Sequence, residues 1–135
     1  MKQVEAAVIG TGWCGGIRAE TLSRSALVDK LHICEIRPER LAEVKALTRP
    51  ATATLDYQDI VRNENISVVY ISTTPESNHF PIARDCLRAG KNVLLEKPMA
   101  TSVGEAQGII AAAHRAGRVL LVGHSHSYDA PIVRM

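Results

Sequence analysis

Gly10, Gly12 and Gly15 stand at the spacing G-x-G-x-x-G, directly after the apolar run 4–9 and directly before an amphipathic stretch that begins at Trp13. Between a strand and a helix, that spacing gives each glycine a task. The first makes a tight turn, the second lets a phosphate approach the backbone, and the third packs helix against strand. A helix starting near Trp13 aims free N–H groups and partial positive charge at the same point. The chemistry is therefore pyrophosphate binding, with Thr11, Trp13 and Cys14 completing the loop. Glu35 follows about 20 residues on, at the end of the next apolar run, where a carboxylate holds the adenosine ribose diol and repels a 2′-phosphate. NAD is thus expected in preference to NADP. Arg37 and Arg40 cut against that preference: each either reaches a phosphate, lies over the adenine, or is solvated charge at a helix start. Cys14 has two readings, a thiol activated at a helix N-terminus and a small residue beneath the cofactor.

Two more polar groups sit at the ends of apolar runs. One is Ser72-Thr73-Thr74-Pro75-Glu76-Ser77-Asn78-His79, and the other is Glu96-Lys97-Pro98. Lys97 is either a cation aimed at a reacting group or a surface lysine at a strand end. Gly123-His124-Ser125-His126 adds a His-x-His pair, which without further ligands nearby reads as facing the nicotinamide or substrate and not as a metal site.

The elements that must position these groups alternate along the chain. Strands are expected at 4–9, 31–35, 51–54, 67–72, 92–95 and 119–122. Helices are expected at about 13–25, from Pro38, from Asp56 to about Arg62, at about 78–89, and from Ser102 to Gly117. Ile17 and Leu22 are inward positions of the first helix, and Leu41, Val44 and Leu47 share a face of the second. Ser102 and Glu105 have capping-box spacing. Strand and helix alternating six times means crossover connections, hence an α/β fold with a doubly wound, parallel six-stranded sheet, the Rossmann fold. Such a sheet puts its ligand at the carboxyl ends of the strands, where the polar groups fall.

The combination resembles the Gfo/Idh/MocA oxidoreductases, on the glycine loop, Thr73-Thr74-Pro75 with His79 beyond, and Ala89-Gly90-Lys91-Asn92-Val93 leading to Glu96-Lys97-Pro98. The resemblance covers nearly the whole chain. It implies that Thr73, Thr74 and Pro75 line the nicotinamide-side ribose, with Asn78 and His79 at the edge of the site. It also implies that Glu96 contacts the ribose and that Lys97 lies by the nicotinamide and the substrate hydroxyl. Removing hydride from a carbinol carbon requires the hydroxyl proton to leave, and a partly desolvated lysine serves that purpose. The Lys97–Pro98 bond is a candidate cis peptide.

Relatives continue into a second α/β domain that supplies substrate contacts. Residues 1–123 are therefore read as the dinucleotide-binding domain, and 124–135 as the start of a connection to a second domain absent here. This chain by itself is expected to bind NAD weakly and turn over little. The segment around His124 and His126 is similar to that of cis-dihydrodiol dehydrogenases of phthalate breakdown. The implied substrate is a sugar, cyclitol or cyclic diol, oxidised at a CH–OH group by a protein expected to be homo-oligomeric when complete. A non-catalytic sensor or structural module is the competing reading, in which Lys97 has no chemistry.

Composition excludes several classes. Sixteen basic and fourteen acidic residues are scattered through 135 with no basic stripe, so no nucleic-acid partner is expected. The longest apolar runs are far too short for a bilayer span, and Glu5 interrupts any signal-peptide core, so no membrane partner is expected and the location is read as cytoplasmic. Three cysteines without metal spacing read as reduced thiols.

Overall fold

The structure is a computed structural model that describes residues 2–129, with the backbone alone of His126 and Tyr128. Six parallel strands lie in the order β3-β2-β1-β4-β5-β6. These are β1 (Val4–Ile9), β2 (Val28–Cys34), β3 (Thr52–Thr54), β4 (Ile66–Ile71), β5 (Asn92–Glu96) and β6 (Leu120–Gly123). The helices between them are α1 (Trp13–Ser23), α2 (Pro38–Thr48), α3 (Tyr57–Arg62), α4 (His79–Arg88) and α5 (Val103–Ala116). This is the doubly wound Rossmann order, with the chain reversing direction across the sheet between β1 and β4.

Alternation along the central strands feeds two cores. Ala7 and Ile9 of β1 and Val69 and Ile71 of β4 face Ile60 of α3, Ile82 and Leu87 of α4, and Ile109 of α5. Val8 and Tyr70, one step out of phase, face Ala19 of α1 and Val44 of α2. Such strands, apolar on both sides, are what a parallel sheet covered on both faces requires. Burial also pushes the Cys34 and Cys86 thiols up to about 12, and the three cysteines are free. Among the described residues, no helix is long and apolar enough to cross a membrane.

Three expectations need correction. β2 begins at Val28, because its first residues are largely exposed and lack the apolar pattern, yet Val28 pairs with Val4. Ile17 is 47% exposed, since α1 meets the sheet through the small residues Gly15 and Ala19. Leu47 is exposed as well: the inward positions of α2 are Val44 and Thr48, with Leu41 partly buried.

The helix ends follow local chemistry. Pro38 occupies the first turn of α2, and Asp56 caps α3 by accepting from Gln58 N at 2.9 Å. Ser102 Oγ accepts from Glu105 N, but the reciprocal Glu105 carboxylate reaches Thr101 N and Oγ1, one residue further out than a capping box specifies. Lys91 is buried, its ammonium donating to Asn63 O at 2.6 Å and Ile66 O at 3.0 Å. It ties the start of β5 to the loop ahead of β4, and burial lowers its pKa.

Candidate functional site

A cleft of about 880 Å³ runs along the carboxyl ends of β2, β1, β4 and β5. At its centre the glycine loop turns from β1 into α1. Gly10 has φ +86°, and a Cβ there would meet Ser72 O at 2.5 Å, so the loop presses against the end of β4. A Cβ at Gly15 would lie 1.8 Å from Gly10 O. These two glycines are demanded by the protein's own backbone. Gly12 is different: it lines the cleft, and a Cβ there would meet nothing within 4 Å. The protein leaves that space to whatever the cleft holds, as a pyrophosphate beside the backbone requires. The residues present therefore fit a dinucleotide.

Glu35 follows β2 directly and is 5% exposed. Its Oε2 accepts from Thr11 N and Thr11 Oγ1, both at 3.0 Å, and its Oε1 accepts from Arg37 N at 3.1 Å and Arg37 Nε at 3.0 Å. Burial alone would raise its pKa, but the Arg37 side chain and the Arg37 and Thr11 donors overcome that and hold it at about 2, below an ordinary 4.5. The native state thus keeps the carboxylate ionised. The stabilisation is complete above pH 4.5 and is lost as pH falls towards 2, amounting to about 3 kcal/mol. Urea unfolding from pH 6 down to pH 3 should show the stability gap between wild type and Glu35→Gln narrowing with acid. A gap that does not change with pH would overturn this assignment.

Arg40 is not where a phosphate or adenine contact would need it, because it does not line the cleft. Its Nε donates to Thr11 O at 2.7 Å and its Nη2 to Gly12 O at 3.3 Å, while Nη1 pairs with Glu43. The guanidinium braces the glycine loop. Arg37, 60% exposed, does line the cleft.

The other end of the cleft is built from the loops after β4 and β5. Ser72, Thr73, Thr74, Asn78, His79, Glu96 and Lys97 all line it, whereas Pro75 and Pro98 do not. Both Thr74–Pro75 and Lys97–Pro98 are cis. His79 is buried, with Nδ1 2.8 Å from Pro98 O and Nε2 3.0 Å from Thr73 O, so one imidazole links the two loops. Thr73 Oγ1 is buried and has no hydrogen-bond partner among the described residues. An orphaned hydroxyl in a cofactor-sized cleft is a further sign that a polar ligand belongs there. Tyr70 donates to Glu96 Oε2, and burial together with that carboxylate raises the phenol to about 12.

Lys97 is exposed and makes no hydrogen bond or ion pair with any described residue. The desolvation expected for it is therefore not supplied by these residues. Cys14 lines the cleft half-buried. His124 is exposed beyond β6 and does not line the cleft, and the His126 side chain and residues 130–135 lie outside the described residues. Among the described residues no cluster of three or more His, Cys, Asp or Glu could hold a metal ion.

Sequence reasoning missed Ile36, Leu55, Asp56 and Tyr57, which line the cleft next to Glu35. They follow the carboxyl ends of β2 and β3, and that position was the available signal. It also missed Tyr70, whose place in a buried strand gave no hint that its hydroxyl would reach Glu96.

Comparison with known proteins agrees with this geometry. The family model described as an oxidoreductase family with an NAD-binding Rossmann fold matches residues 4–124. A 1-carboxy-3-chloro-3,4-dihydroxycyclohexa-1,5-diene dehydrogenase of Comamonas testosteroni is 37% identical over 94% of this chain and 32% of its own length. An inositol 2-dehydrogenase of Rubrobacter xylanophilus is 32% identical over 95% of this chain and 37% of its own. The chain thus spans about a third of the length of these relatives. The crystal structure of GenD2 from gentamicin A biosynthesis, in complex with NAD, superimposes with a TM-score of 0.91 at 30% identity. That match covers 99% of this chain and 38% of GenD2.

Proposed function

The chain belongs to the Gfo/Idh/MocA oxidoreductase family as an NAD-binding Rossmann domain, and from that premise we propose that the protein carrying it oxidises a CH–OH group of a cyclic polyol or cyclic diol. One observation carries this reading: the exposed amino group of Lys97 at the end of β5, unpaired among the described residues and lining the same cleft as the glycine loop. Its place at the carboxyl end of a central strand, where this fold binds its ligand, supports the reading.

When bound, NAD accepts the hydride. Gly10, Gly12 and Gly15 let the α1 N-terminus meet the pyrophosphate, with Trp13 and Cys14 beside it, and Glu35 takes the adenosine ribose. Thr73 offers its free hydroxyl near the nicotinamide end, and Glu96, held by Tyr70, addresses the ribose there. The carbinol carbon gives up hydride to the nicotinamide while its hydroxyl gives up a proton; Lys97 accepts that proton as a neutral amine, a form favoured when cofactor and substrate shield it from water, and then releases it to solvent. The His79 ring stands between the Thr73 and Pro98 carbonyls, donating to one or the other according to its tautomer, and so sets the spacing of the two loops.

The substrate class draws on the relatives, one named for inositol and one for a dihydroxycyclohexadiene. Contacts that choose among such rings are expected from a second domain beyond residue 123. The test offers inositols, cyclic cis-diols and linear polyols with NAD to the protein carrying this domain, and follows NADH absorbance. Cyclic substrates should be turned over with a kcat/KM at least about tenfold above linear ones. Absence of turnover on every ring, with NADH still bound, would favour a non-catalytic module.

A further inference from the structure

A trans peptide unit points its carbonyl and its N–H in opposite directions, so whatever holds the one aims the other. The peptide bonds on either side of Gly12 are trans. Arg40, on α2, donates Nε to Thr11 O at 2.7 Å and Nη2 to Gly12 O at 3.3 Å, and it does not line the cleft. Gly12 O also accepts from Gly16 N at 2.9 Å. Both carbonyls are thus held from the side away from the cleft, which turns the N–H groups of Gly12 and Trp13 into it. Those two N–H groups donate to none of the described residues.

Arg40 has more than a bystander's share in this. Thr11 is 0% exposed, and Arg40 Nε is the one donor to its carbonyl among the described residues. A buried carbonyl without a donor is costly, and the peptide unit that carries it would turn to find one. Such a turn takes the Gly12 N–H out of the cleft. Gly16, which the spacing of Gly10, Gly12 and Gly15 does not call for, completes the arrangement. A Cβ there would lie 2.5 Å from Arg40 Nη2 and 3.5 Å from Thr11 O, so the guanidinium occupies the space that a side chain would fill. The remaining contact of Arg40, a pair with Glu43 at 2.9 Å, has its acid 62% exposed and adds little.

We propose that Arg40 is the positioning residue of the phosphate loop: it never touches the ligand, but through the Thr11 and Gly12 carbonyls it turns two main-chain N–H groups toward a pyrophosphate, and Gly16 leaves room for it. The proposal rests on the dinucleotide reading of the cleft. Amide NMR titration of the chain with NADH, ADP-ribose and adenosine tests it, on wild type, Arg40→Ala, Arg40→Lys, Gly16→Ala and the Arg40→Ala/Gly16→Ala double variant. A thermal unfolding trace for each variant separates misfolding from lost affinity. Arg40→Ala should weaken NADH and ADP-ribose alike by about tenfold or more, and leave adenosine, which carries no phosphate, within about twofold. Arg40→Lys, able to keep one carbonyl contact, should fall between. Gly16→Ala should weaken the same two ligands by about threefold or more, yet deepen the Arg40→Ala loss by no more than about twofold, because both act on one guanidinium. If Arg40→Ala does not fold, Arg40→Lys and Gly16→Ala carry the test. Folded Arg40 variants that bind NADH within about twofold of wild type overturn the proposal. An adenosine affinity that falls in step with that of NADH also overturns it, as does a Gly16→Ala loss that simply adds to that of Arg40→Ala. Wild type that binds none of the three ligands overturns the dinucleotide reading itself, a distinct outcome.

Discussion

Gly12→Ala should leave the domain folded and abolish its dinucleotide binding, while Gly15→Ala should damage the fold itself. The two glycines belong to one motif but answer to different constraints. At Gly12 φ is −61°, outside the left-handed region that favours glycine, and an added methyl meets no protein atom within 4 Å. Stability should therefore stay within about 0.5 kcal/mol of wild type. The methyl would occupy the space through which a pyrophosphate reaches the backbone, and NADH affinity should fall by about a hundredfold or more. At Gly15 the methyl would lie 1.8 Å from the Gly10 carbonyl oxygen, a main-chain atom that cannot swing aside as a flexible side chain could. Overpacking of that kind costs about 3 kcal/mol or more. Urea unfolding and NADH fluorescence on the two variants separate these effects. If Gly12→Ala bound NADH normally, the open side of the loop would not be the cofactor's side.

Lys97→Met should remove turnover and spare binding. The substitution keeps much of the stem and deletes the ammonium, which makes no hydrogen bond or ion pair with described residues, so nothing in the domain is left unsatisfied. In the protein carrying this domain, kcat should fall by about 10²- to 10⁴-fold, the usual worth of a positioned acid or base. NADH affinity should change by no more than about threefold, since glycine loop and ribose carboxylate are untouched. Thermal stability should not move. Retention of kcat within about threefold would return Lys97 to the status of a surface residue.

The alternation of apolar runs with amphipathic stretches was enough to predict six strands and their parallel sense, because each crossover helix must be followed by a strand in the same direction, and six such strands pointed to the doubly wound fold; the order β3-β2-β1-β4-β5-β6 came from the structure. Glycine spacing, Glu35 and Glu96-Lys97 were legible for a related reason: strand ends are readable from hydrophobic periodicity, and a parallel sheet gathers its strand ends along one edge. Errors clustered where periodicity is silent. Ile17 and Leu47 are apolar yet exposed, because α1 approaches the sheet on glycine and alanine, and because α2 turns Val44 and Thr48 inward instead.

Sequence by itself determined the architecture, the cleft and the residue types delivered to it, since those follow from chain-local pattern and from where a parallel sheet puts its loops. Only the tertiary structure decided what each delivered group is free to do. Two arginines three positions apart looked equivalent, yet Arg40 is bound to the carbonyls of a loop 28 and 29 residues earlier, and Arg37 faces the cleft against Glu35. Three glycines of one motif divided into two that their own backbone demands and one that it does not. Among the described residues, Thr73 is left with an unanswered hydroxyl and Lys97 with an unanswered charge. Hydrogen-bond partners in this fold come from distant segments brought side by side, and a side chain's remaining capacity for chemistry depends on which of those partners it has already met.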